Sequence, residues 1–166
     1  MKKIISLCLI TAFLLGSLYT GTTTTEAATA ASDNSAVTEI HYLENGDYIE
    51  TTITSTPALP SDVMTMATKK WTTNTKTNRY KNSAGDVLWT AAVRGTFWYD
   101  GSSSACTYDL AIATAPASTW SIKSKSSSRS GNTATAKVTA TQSTSIASMD
   151  YTTTITLKCS KTGVVS

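Results

Sequence analysis

The sequence predicts an all-β protein, an antiparallel β-sandwich or small barrel of about six strands. Three observations carry this expectation. From Lys69 onward, runs rich in Thr, Val, Ile and aromatic residues alternate apolar and polar positions, the period of two that a half-buried strand requires. Short polar turns such as "NSAGD" and "DGSSS" separate the runs. No run in this part carries the apolar stripe of an amphipathic helix.

Three segments are expected. Residues 1–30 read as a secretory signal peptide: Lys2 and Lys3 precede the mostly apolar Ile4–Leu18, and Ala28-Thr29-Ala30 places small residues where a signal peptidase reads. That apolar stretch is too short to span a bilayer comfortably. No second one follows, so no integral membrane segment is expected in the mature chain. The expected location is extracellular, in association with the cell wall.

Residues 31–68 form an acidic arm. Asp33, Glu39, Glu44, Asp47, Glu50 and Asp62 stand there without a Lys or Arg, a net charge of −6. Residues 69–166 form a basic domain, with twelve Lys and Arg against Asp86, Asp100, Asp109 and Asp150, a net charge of +8. The overall +3 hides this split. Within "TEIHYLENGDYIETTI", Asn45-Gly46 predicts a two-residue hairpin turn that pairs Leu43 with Tyr48 and Ile40 with Thr51. An isolated hairpin is marginal in water. The arm is therefore expected to dock on its own basic domain, helped by opposite charge. "TSTPALPSDVMTMATKK", with Pro57 and Pro60, reads as a linker.

The domain's strands follow in order. "KKWTTNTKTNRY" is a half-exposed Thr-rich strand. Val87 to Tyr99 is a long strand, with Trp89, Val93, Phe97 and Tyr99 on one face and Arg94, Thr96 and Trp98 on the other. After "DGSSS", Cys106, Tyr108, Leu110 and Ile112 are expected on one face and Thr107 and Asp109 on the other. A strand near Trp120 and Ile122 comes next. Thr133 to Gln142 sets Ala134, Ala136, Val138 and Ala140 on one face, small enough to pack against large aromatics. The last strand aligns Tyr151, Thr153, Ile155, Leu157 and Cys159.

Cys8 would leave with the signal peptide. Cys106 and Cys159 remain, both on apolar faces in an oxidising compartment, and predict a disulfide. Closing that loop is worth about 4 kcal/mol in the chain-entropy view. The spacing of Cys106, Trp120 and Cys159 invites comparison with an immunoglobulin domain. Leu157 stands where such a domain carries a tyrosine, and too few strands separate Trp120 from Cys159.

Four phrases carry a resemblance: "YLENGDYIETTI", "NSAGDVLWTAAVRGTFWYDGSSSACT", "WSIKSKSSSRSGNTATA" and "TLKCSKTGVVS". They resemble a group of small secreted β-rich proteins of Gram-positive bacteria, spore-forming and gut anaerobes among them. The likeness covers most of residues 38–166. It implies secretion and a β fold, and supplies no catalytic residue.

The residues do not compose an active site. His41 is the only histidine, and residues 69–166 contain no glutamate. A zinc site needs several N, S or carboxylate ligands together, and a Ser-His-Asp set would have to borrow His41 from the arm. The single glycines sit in turn sequences and make no phosphate cradle. The expectation is a protein without catalytic residues, cofactor or metal.

Binding remains. Trp71, Trp89, Trp98, Tyr80 and Tyr99 are candidate stacking groups. Trp89, Phe97, Tyr99 and Trp120 are expected in the core. Trp98, Arg94 and Trp71 are expected at an exposed site for anionic cell-wall polymers or glycans. One alternative is a membrane-active or antagonistic secreted protein, with the Thr-rich 133–157 strand pair as its active part and the arm as a neutralising pro-segment. The other is a structural surface or matrix protein. Nucleic acid would be attracted by charge alone, without specificity.

Overall fold

The computed structural model describes residues 37–57 and 69–166. The expected signal peptide and linker residues 58–68 lie outside the described residues. Eight antiparallel strands form two sheets. The first contains β1 (Val37–Tyr42), β2 (Tyr48–Pro57), β3 (Lys70–Lys81), β4 (Val87–Tyr99) and β5 (Ser104–Thr114), in that order. The second contains β6 (Trp120–Ser130), β7 (Thr133–Ser143) and β8 (Ser148–Lys158). Two separate sheets packed face to face make a sandwich, not a closed barrel.

The sandwich is lopsided. The three-stranded sheet packs on β3, β4 and β5, and β2 adds the partly buried Ile53 beside the core. The acidic hairpin extends the large sheet sideways. β2 pairs with β3 from Tyr48↔Lys81 to Pro57↔Thr72, so Thr54–Pro57 continue a strand where the sequence suggested linker. Glu50 fixes the junction through ion pairs to Lys81 (2.6 Å) and Arg79 (3.1 Å).

The hairpin differs from expectation by one residue. Tyr42 pairs with Tyr48 and Ile40 with Glu50. The Leu43 N–H donates to Asp47 O (2.8 Å), and the Gly46 N–H to Leu43 O (3.0 Å). Gly46, at φ 85°, takes the left-handed position. A three-residue loop with one left-handed glycine thus replaces the two-residue turn, and shifts the register accordingly.

The core lies where alternation placed it. Trp89, Val93 and Phe97 of β4 meet Ala134, Ala136, Val138 and Ala140 of β7 and Ile155 and Leu157 of β8, all at most 2% exposed. The small alanines let the aromatic strand approach closely. Gly95 contributes to the same approach: a Cβ there would stand 2.6 Å from the Phe97 ring and 3.2 Å from Ala134. Asn74 is also buried; it accepts from the Ser55 hydroxyl and donates to Thr72 (2.8 Å), so its polar atoms are satisfied.

β5 corrects the expected faces. Phe97 pairs with Cys106 while Thr96 pairs with Tyr108, so Thr107 is an extra residue in the ladder. This bulge flips the alternation. Cys106, Asp109 and Ala111 lie opposite inward residues, whereas Tyr108 and Leu110 turn outward, 47% and 37% exposed. Asp109 then meets Arg129 of β6 at 3.0 Å, an ion pair joining the sheets at their β5–β6 side.

The expected disulfide is not seen in this structure. Cys106 and Cys159 are both buried and both free. Each thiol has a backbone carbonyl as partner, Tyr108 O at 3.2 Å and Ser160 O at 3.4 Å. Their backbones are held by one turn: Cys106 N–H donates to Gly131 O and Cys159 N–H to Asn132 O. Burial pushes both thiols above their ordinary range, so they pack as small apolar side chains.

Candidate binding surfaces

The outer face of the large sheet gathers the three residues singled out in the sequence. Trp71 of β3 lies directly opposite Trp98 of β4. Directly opposite residues share a face, and residues two apart along each strand join them. Successive rows across β3, β4 and β5 therefore read Trp71–Trp98–Ala105, Thr73–Thr96–Tyr108 and Thr75–Arg94–Leu110. This face is turned away from the three-stranded sheet, because Trp89, Val93 and Phe97 occupy the other.

The face is aromatic, hydroxylic and cationic. Trp71 is 44% exposed and Trp98 half-buried. The Lys69 ammonium sits 4.2 Å from the centroid of a Trp98 ring, a cation–π contact that also holds a charge beside the pair. The Thr73 and Thr96 hydroxyls share a hydrogen bond of 3.0 Å. Arg94 is exposed, and its Nε donates to Thr75 (3.3 Å), which leaves the rest of the guanidinium facing solvent. No ion pair to Arg94 or Lys69 occurs among the described residues. Tyr108 is the member that the sequence reading placed on the wrong face. The bulge at Thr107 is what brings it here, and nothing in strict alternation announces it.

A second feature opens at one end of the sandwich. Four aromatic rings run from the large sheet to the small one. Tyr80 stacks on Trp89 (3.9 Å between centroids, 5° between planes), Trp89 neighbours Trp120 (6.0 Å, 22°), and Trp120 meets Tyr151 (5.1 Å, 47°). Beside them lies a cleft of about 480 Å³, bounded by the Leu43–Asp47 loop, the ends of β2 and β3, and the neighbouring ends of β6, β7 and β8. Trp89 is 2% exposed and forms the floor, and Tyr151, 39% exposed, stands at the rim. Burial raises the Tyr80 phenol above its ordinary pKa. Trp120, expected in the core, is half-buried and packs against it while also lining this cleft. Tyr151 and Gln142 were not singled out in the sequence; the β6–β7–β8 pairing brings them to Trp120, with Gln142 its direct ladder partner.

The remaining chemistry is spread out. His41 is exposed on β1, opposite Ile49. Among the described residues, no group of three or more His, Cys, Asp or Glu side chains is placed to hold a metal ion. No described helix is long and apolar enough to cross a membrane. Comparison with protein families, with curated proteins and with solved structures gives no match.

Proposed function

We propose that this is a secreted, non-enzymatic protein that binds anionic glycans of the cell surface or cell wall through the outer face of its large sheet. The observation that carries the reading is the cross-strand pair Trp71–Trp98 on an exposed face, with Lys69 and Arg94 beside it. Indole faces stack on sugar rings, and unpaired cations attract phosphate or carboxylate groups of an anionic polymer. Secretion rests on the signal-peptide pattern of residues 1–30 and on the family resemblance.

The acidic hairpin supports a structural role for the arm over a removable pro-segment. β2 supplies ten ladder partners to β3, and its loss would leave β3 as a bare sheet edge.

The test is co-sedimentation of residues 31–166 with intact walls and with polymer-stripped walls, at low and high salt. The proposal expects strong retention on intact walls, reduced but not abolished by high salt, and loss of the salt-resistant part in Trp71→Ala and Trp98→Ala. Complete loss at high salt would leave only general charge attraction. Unaltered retention of both variants would remove the aromatic pair from the account.

A further inference from the structure

The cleft beneath the Leu43–Asp47 loop differs in chemistry from the outer face. Its floor and walls are the Tyr80, Trp89, Trp120 and Tyr151 rings. Its rim carries short polar groups. Gln142 accepts from the Tyr151 hydroxyl at 3.4 Å, and its amide nitrogen has no protein partner among the described residues. The Thr119 hydroxyl likewise has none. Asp47 accepts one bond from Asn45 (2.8 Å), and its second carboxylate oxygen has no partner among the described residues. Lys81, the one cation on the lining, donates to Glu50 at 2.6 Å, a carboxylate it shares with Arg79.

These features narrow the ligand. An anion would meet the Asp47 carboxylate and find the one cation of the lining already bonded to Glu50. A wholly apolar ligand would bury the Gln142 amide and Thr119 hydroxyl without partners, which is unfavourable for each. A ligand with apolar faces and a polar edge satisfies both sets of groups. A sugar ring is such a ligand, since its C–H face lies on aromatic carbon while its hydroxyls meet planar amide and carboxylate groups. The cleft's 480 Å³ falls within the range of small-molecule sites, roughly 300–1,000 Å³, and has room for more than one ring.

We infer that this cleft is a saccharide site that takes one or two uncharged sugar rings, separate from the anionic-polymer surface. Tyr151 and Trp120 stack on the ring, and Gln142, Thr119 and Asp47 read its hydroxyl or acetamido groups. The site does not rest on the outer-face reading, because no residue is shared between the two.

Calorimetric titration of residues 31–166 with N,N′-diacetylchitobiose, cellobiose and choline tests it. Saturable binding of at least one disaccharide is expected, weakened about tenfold or more by Tyr151→Ala, a loss of about 1.4 kcal/mol. Gln142→Ala should weaken the same binding, and Trp98→Ala should leave it unchanged. Thermal melts of each variant separate misfolding from lost contacts, and Gln142→Ala removes no packed ring. Absence of binding by both disaccharides would overturn the assignment. So would binding of choline in their place, or disaccharide binding lost with Trp98→Ala and kept in both cleft variants.

Discussion

Trp71 and Trp98 face each other across the β3–β4 ladder, on the side of the large sheet that no described strand covers. Eight residues upstream of Trp98 on the same strand, Thr90 faces outward as Trp98 does, while its neighbour Trp89 is buried in the core. One strand therefore supplies both the floor of the fold and its exposed aromatic surface.

Because Trp71 is largely exposed and Trp98 half-buried, their loss should separate binding from stability. Trp71→Ala should shift folding stability by no more than about 0.5 kcal/mol, as surface changes do. Trp98→Ala should cost more, about 1 kcal/mol, since its ring is partly packed. Wall retention at high salt should fall about tenfold for each, the equivalent of about 1.4 kcal/mol of lost contact. Thermal melts alongside co-sedimentation measure both quantities.

The closing turn is predicted to tolerate no side chain at Gly163. This residue has φ 91°, and an added Cβ would penetrate the Tyr99 ring. The turn is tied to the β4–β5 loop by Gly101 N–H donating to Lys161 O (2.8 Å). Gly163→Ala should cost more than about 2 kcal/mol, combining strain with overpacking. Gly101→Ala isolates the strain. It has φ 89° but nothing within 4 Å of its would-be Cβ, and should cost only about 1 kcal/mol. Equal costs in urea denaturation would show that the Tyr99 contact is unimportant.

The arm's attachment should depend on pH in a defined direction. The Lys81 hydrogen bond, followed by the nearby Lys81 and Arg79 charges, holds Glu50 below its ordinary pKa of 4.5. A lowered folded-state pKa stabilises the fold above the unfolded value and loses that contribution as pH falls through the folded one. Stability should therefore decline below about pH 4.5, with Asp150, lowered chiefly by its hydrogen bond to Lys123, adding to the same trend. Glu50→Gln should lower the melting temperature at pH 7 and flatten the acid limb. A variant that melts like the parent at pH 7 and along the acid limb would show that the ion pairs contribute nothing.

Reduced protein should hide its two domain thiols. Cys106 and Cys159 are buried and their pKa values are raised by burial, so few thiolates form near pH 8. Alkylation of residues 31–166 should be negligible in the native state and reach both thiols in denaturant. Rapid native labelling of either would contradict their placement in the core.

Much of this was legible in sequence. The inward set Ala134, Ala136, Val138, Ala140, Ile155 and Leu157 follows from strict alternation in β7 and β8, which contain no bulge between them. The outward placement of Arg94 and Trp98 follows in the same way. What alternation could not supply was its own interruption. One extra residue, Thr107, reversed the faces of Tyr108 and Leu110, and one glycine, Gly46, changed the hairpin loop and its register. The aromatic cleft was hidden for another reason. Pairing of β6 and β8 with β7 sets Trp120 near Tyr151, and only the stacking of the two sheets brings them to Tyr80 and Trp89.

The most direct test of the outer-face account uses the chain's four tryptophans as reporters. Their indole N–H signals in residues 31–166 can be assigned by single substitutions and followed by NMR while soluble anionic wall-glycan fragments are added. The account predicts that the Trp71 and Trp98 signals move together along one saturable curve while the Trp89 signal, from a ring that is 2% exposed, stays in place. Stationary Trp71 and Trp98 signals at saturating fragment would contradict it.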